Sequence, residues 1–183
     1  MRASLVRHPL SRCDAVSCVH VDIDRLSLTS LTLRFAVSGA IGDIAIPPPA
    51  PPARTDDLWR RTCFEAFFRG KCEDSYCEFN FSPSTEWAAY RFARYREEMA
   101  DLDDVDSITV ERAVGPGLLV VGAQLDLARM APILGEGLQC ALAAVIEEKS
   151  GAKSYWALAH PAGNPDFHHK DCFKLEIARN MPS

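Results

Sequence analysis

The sequence predicts an all-β fold, a single-domain antiparallel β-sandwich of about ten strands spanning residues 1–183. Three observations carry that expectation. Apolar side chains recur at every second position in short runs, which is the period of a half-buried strand. Gly, Pro, Asn and Asp interrupt those runs at regular intervals. No stretch has the length and 3.6-residue periodicity of a long helix.

In chain order, residues 17–24 set Val19, Val21 and Ile23 against Cys18, His20, Asp22 and Asp24. Residues 28–37 repeat the pattern, with Leu31, Leu33, Phe35 and Val37 inward. Glycines at 39 and 42 turn the chain into a short strand at 43–46. Five prolines then fall within residues 47–52. Proline cannot donate to a sheet ladder, so 47–53 is expected to be an extended surface loop, a stiff connector or a site for a polyproline-binding partner.

Residues 62–69 place Phe64, Ala66 and Phe68 on one face and Cys63, Glu65 and Phe67 on the other. Residues 75–82 likewise oppose Cys77, Phe79 and Phe81 to Tyr76, Glu78 and Asn80. If the aromatic faces share one core, Glu65, Glu78 and Asn80 become neighbours on the far side of the sheet. Residues 86–99 are ambiguous. Trp87, Tyr90 and Arg94 fit a helix, whereas a strand would oppose Ala88, Tyr90 and Phe92 to Trp87, Ala89 and Arg91.

An acidic loop at 101–106 precedes a strand at 107–113, and Gly115-Pro116-Gly117 forms a tight turn. Strands at 118–127 and 138–147 bracket a helical turn at 128–134, although alanine-rich 140–146 also suits a helix. Strands at 154–160 and 172–178 close the domain, the last with Phe173, Leu175 and Ile177 inward.

Bulk properties narrow the function classes. At 183 residues, 48% hydrophobic and 25% charged, the chain can bury a full core. A net charge of −5 argues against non-specific nucleic-acid binding. No apolar run approaches a membrane span, and the first residues lack the apolar core of a secretory signal. Seven cysteines, several within apolar strand patterns, read as reduced thiols, so the cytoplasm is the expected compartment.

Four strings carry a family resemblance: TCFEAFF at 62–68, SYCEFNFSPS at 75–84, WAAYRFARYREEM at 87–99 and SYWALAHPAGNPDFHHKDCFKLEI at 154–177. They resemble the DOMON-like β-sandwich domains allied to family-nine carbohydrate-binding modules. The resemblance implies a strand from 86 through about Phe92, and a turn near 95–99. It also implies that 160–169 lies at one end of the sandwich, where His160 and His168 approach a common mouth. Relatives of this kind bind sugars or haem, so the resemblance implies a ligand site without naming its occupant.

The candidate site joins Glu65, Glu78, Asn80 and Arg91 on one sheet surface to Trp59 and Trp87, with His160 and His168 from the closing loop. Carboxylates, an amide and a guanidinium can exchange hydrogen bonds with sugar hydroxyls while an aromatic ring covers the C–H face. A solvated outer face with one Glu–Arg pair is the plainer alternative, and Trp156 is read as core packing. Two close carboxylates also raise glycoside hydrolysis, but no other hydrolase signature accompanies them.

A metal reading rests on His168, His169 and Cys172, on Cys72 with Cys77, and on the stretch from Cys13 to His20. None has the Cys-x-x-Cys spacing of a structural zinc site. Haem enters only through the resemblance; Met99 and Met130 fall in expected turns rather than a late strand, and a Cys-x-x-Cys-His attachment motif is absent. The sequence therefore points to a non-catalytic protein that binds a small polar ligand such as a saccharide, with no cofactor, and with haem or metal binding as the alternative. A sugar-processing enzyme stands third.

Overall fold

A computed structural model describes residues 1–25, 27, 30–126, 128 and 138–177. These residues form twelve strands, all paired antiparallel. In chain order they are β1 Arg2–Arg7, β2 Val16–Arg25, β3 Ser30–Gly39, β4 Cys63–Gly70, β5 Tyr76–Phe81 and β6 Trp87–Phe92. There follow β7 Ala100–Asp101, β8 Thr109–Val114, β9 Leu118–Asp126, β10 Leu138–Glu147, β11 Lys153–Ala157 and β12 Leu175–Ile177. Short 3₁₀ turns occupy Ile41–Asp43, Leu58–Arg60 and Lys170–Cys172. Among the described residues no helix is long and apolar enough to cross a membrane.

The ladder runs β7-β6-β5-β4-β10-β11-β1-β2-β3-β9-β8, and β12 adds to β10. It is a single curled sheet. β1 makes the join, pairing with β2 through Arg2–Leu5 and with β11 through Val6 and Arg7. Curling brings the inner faces of the two halves together. Phe35 of β3 lies 5.1 Å from Phe64 of β4, ring centre to ring centre, and 6.4 Å from Phe81 of β5. Val19, Val21, Leu33, Val121, Phe68, Phe79, Leu142 and Ile146 fill the same core, the alternate positions that each strand's period sets inward. Each such side chain contributes about 1.5–3 kcal/mol by leaving water.

The β4–β5–β6–β10–β11 region is covered on its other face too. The chain after β11 crosses it, and Phe167, Cys172 and Phe173 pack on Phe67, Tyr76, Phe92, Ala141 and Ala143. β5 is consequently buried along its whole length. The solvated outer face considered as an alternative does not exist over β4 and β5, because a non-local segment covers those strands and buries their side chains.

Several expected elements differ. Residues 43–46 form no strand; only Ile44 bridges to Glu148, after the Ile41–Asp43 turn. β1 and β7 raise the strand count from about ten to twelve. The strand expected at 154–160 ends at Ala157, and that expected at 172–178 begins at Leu175, since Cys172 closes a 3₁₀ turn. The helical turn expected at 128–134 lies almost wholly outside the described residues. Both ambiguous stretches are strands, β6 and β10.

Segment 47–53 belongs to no strand, and carbonyls do most of the anchoring, with the Ala50 amide donating to Ser84 O. Pro47 O accepts from Arg112, Ala50 O from the Thr85 hydroxyl, and Ala53 O from the Trp87 amide.

Candidate functional site

The site follows from the β4–β5–β6 register. Glu65 stands opposite Asn80, Phe67 opposite Glu78, and Glu78 opposite Tyr90. Glu65 and Glu78 are thus diagonal neighbours on the outer face, within mutual reach. Both are buried, at 3% and 5% exposure, and both line one cavity of about 950 Å³. Tyr90, Phe92, Val145 and Phe167 form its apolar walls. Trp59, Arg60, Arg61 and Met99 stand exposed at its mouth, Trp59 at 48% exposure.

Polar contacts fix most of the floor. Asn80 Nδ2 donates to Glu78 Oε1 at 2.9 Å. Glu65 Oε1 is buried and meets no donor. Burial drives the Glu65 carboxyl well above the ordinary carboxylate range, and the Glu78 charge adds to that rise, while Arg96 opposes it. The Glu78 carboxyl is also raised, by burial first, against the Asn80 hydrogen bond and Arg96. Two carboxyls so placed favour holding a proton between them rather than ionising together.

His168 enters from the covering segment. The Tyr76 hydroxyl oxygen accepts from the Arg96 amide at 3.1 Å, and the hydroxyl shares a hydrogen bond with His168 Nδ1 at 2.7 Å. His168 Nε2 lies 3.7 Å from Glu78 Oε2. Burial, helped by the Arg96 charge, holds His168 down at about 4. The ring is neutral near pH 7, so its contact with Glu78 is not an ion pair there.

Arg96 is held in turn. Its guanidinium donates to Asp166 Oδ1 at 2.8 Å, and the Tyr95 hydroxyl donates to Asp166 Oδ2. Around the mouth, Arg61 faces Glu147 at 3.4 Å, Arg60 faces Asp57 at 3.0 Å, and Lys153 donates to the Arg60 carbonyl at 2.5 Å. The Arg60 guanidinium lies 4.9 Å from the Trp59 ring centre.

Five of the eight expected site residues gather here. Glu65, Glu78, His168 and Trp59 line the cavity, and Asn80 braces Glu78 from beneath. Trp87 does not. It pairs with Phe81 on the inner face, buried in the main core, with the Arg54 guanidinium 4.7 Å from its ring centre. Arg91 shares that side of β6 by its period and is exposed there, beside Cys77 in the register. His160 also lies elsewhere: Nε2 meets Val6 O at 2.9 Å, and the ring packs edge-on against His8 at 4.8 Å. The common mouth expected for His160 and His168 is therefore not formed.

Sequence reasoning missed Tyr90, Phe92 and Arg96. The first two were accessible from alternation alone, because Tyr90 opposite Glu78 must leave the sheet on the same side. Arg96 carries no such signal, since it sits in a turn with φ of 57°.

The residues do not fit haem. Met99 is 57% exposed at the mouth, and His168 Nε2 faces a carboxylate above a two-carboxyl floor. Met130 lies outside the described residues. The proposed metal residues are engaged separately: the single Cys172 thiol hydrogen has Ala159 O at 3.3 Å and Asp166 O at 3.2 Å as acceptors, and His169 Nδ1 accepts from the Asp171 amide. Among the described residues, no three His, Cys, Asp or Glu side chains gather in a metal-holding cluster.

Comparison with known proteins places the fold. No protein-family model matches the chain, and no curated protein matches it in sequence. Among solved structures it is similar to a Bacteroides uniformis ATCC 8492 protein described provisionally as carbohydrate-binding. The TM-score is 0.67 at 12% identity, over 94% of this chain and 84% of that one. A family-nine carbohydrate-binding module from Caldicellulosiruptor kristjanssonii, solved with cellotriose, aligns at a TM-score of 0.45 and 10% identity, over 87% and 74% of the two chains. The similarity to the Bacteroides uniformis protein establishes a shared β-rich fold.

Proposed function

We propose that the chain is a single-domain β-sandwich of the DOMON-like, family-nine-module kind, and that it binds a saccharide or sugar-like metabolite without transforming it. One observation carries this reading: a cavity of about 950 Å³ combines apolar and aromatic walls with a floor of buried hydrogen-bonding groups and an exposed tryptophan at the mouth. Aromatic faces take up the C–H surface of a pyranose ring, and convergent polar groups fix its hydroxyls. The fold shared with the Bacteroides uniformis protein supports the reading at the level of fold.

Titration calorimetry against a saccharide panel tests it. Binding by the wild type, lost in Glu78→Ala and weakened in Trp59→Ala, is the expected result. Absence of binding across the panel, or equal binding by Glu78→Ala, removes the proposal.

A further inference from the structure

The cavity floor is unbalanced in hydrogen-bonding groups, and the imbalance selects among saccharides. Glu65 Oε1 is buried and without a donor. Glu78 Oε1 is taken by Asn80, but Oε2 faces His168 Nε2 at 3.7 Å, beyond hydrogen-bonding distance. The cations lining the cavity hydrogen-bond or pair elsewhere: Arg96 with Asp166, Arg61 with Glu147, Arg60 with Asp57 and Lys153 with the Arg60 carbonyl, so that Arg96 reaches the two carboxyls through its charge alone. What is missing at the floor is a donor within reach of Glu65 Oε1 and Glu78 Oε2.

A hydroxyl donates one hydrogen and brings two lone pairs, so a neutral sugar adds acceptors to a surface already rich in them. An ammonium brings three donors and no acceptor. It also supplies the charge that makes burial of two carboxylates tolerable. Tyr90, Phe92 and Phe167 line the same space, and ring faces attract a desolvated cation.

We propose that the ligand of this cavity is an amino sugar, bound with its ammonium on Glu65 and Glu78; this rests on the saccharide reading of the same cavity. An acetylated nitrogen has lost both the charge and two of the donors, so N-acetylation abolishes the advantage. Bound in this way, the sugar leaves its ring for the aromatic walls and Trp59.

Calorimetry with glucosamine, galactosamine and mannosamine, with their N-acetyl forms, with the parent hexoses and with ethanolamine tests the proposal. At least one hexosamine is expected to bind tenfold or more tighter than both its N-acetyl form and its parent hexose. That preference should vanish in Glu65→Gln and in Glu78→Gln, each checked by thermal unfolding to be folded. Equal affinity for hexosamine and parent hexose overturns the amino-sugar assignment while leaving saccharide binding intact. Ethanolamine binding as tightly as the hexosamines overturns the saccharide reading and, with it, the proposal. No binding by any probe overturns both.

Discussion

His168 and Glu78 face each other inside the cavity, Nε2 to Oε2 at 3.7 Å, with the imidazole neutral because burial holds it at about 4. In an unfolded chain the same side chain takes up a proton below about 6.5. Between those values the unfolded state binds more protons than the folded one, so stability is lost as pH falls through that window. The full loss is about 3 kcal/mol. His168→Asn should flatten this acid limb. Urea unfolding at several pH values between 7 and 4 checks it, and parallel wild-type and variant curves would count against the assignment.

Glu65 produces the opposite slope. Its folded-state carboxyl is raised by burial and by the Glu78 charge, so its favourable contribution is complete below the unfolded value near 4.5 and is lost as pH rises through the folded one. Glu65→Gln should therefore stabilise the unliganded protein at neutral pH and above, and change little near pH 4. Melting temperatures across that range separate the carboxyl limb from the His168 limb. A variant less stable than wild type at pH 8 would contradict the buried, unpartnered carboxyl.

The two tryptophans at issue should part company. Trp87 is a core side chain, so Trp87→Ala is expected to cost about 3–5 kcal/mol in denaturant unfolding. Trp59, half exposed at the cavity mouth, should cost no more than about 0.5 kcal/mol when replaced by alanine. Its effect should instead appear in saccharide affinity. Reversal of the two stabilities would invalidate the β6 register.

Gly39 ends β3 with φ of 149°, and a Cβ there would stand 2.1 Å from the Ala15 carbonyl oxygen. Backbone, not a flexible side-chain tip, is what it would strike. Gly39→Ala should destabilise by roughly 1–3 kcal/mol or more. A melting temperature unchanged from wild type would show that the backbone at Ala15 and Val16, beside the end of β3, adjusts freely.

How much of this could be read from the chain depended on how local the cause was. The faces of β4 and β5 that bring Glu65 beside Glu78 follow from two-residue alternation and were legible, whereas β10, alanine-rich and buried on both faces, was legible only from the strands around it. β1 was not, because only Leu5 among its six residues is buried and no period is visible. Trp87 and Arg91 were assigned to the polar face by their chemistry, whereas the register with Phe81 and Cys77 puts them on the other side. His160 was separated from His168 by its contact with Val6 on β1, a partner 154 positions away. The burial of Glu65 and Glu78 depends on the segment carrying Phe167 and Phe173, which no pattern within β4 or β5 announces.

β1 is stitched on one side to its sequence neighbour β2 and on the other to β11, near residue 157. During synthesis the first of these seams can close early, but the second must wait until β11, about 150 residues further on, has left the ribosome. Until then β1 presents a bare rim, open to pairing with a neighbouring nascent chain. That later seam, rather than the first, joins the two halves of the sheet.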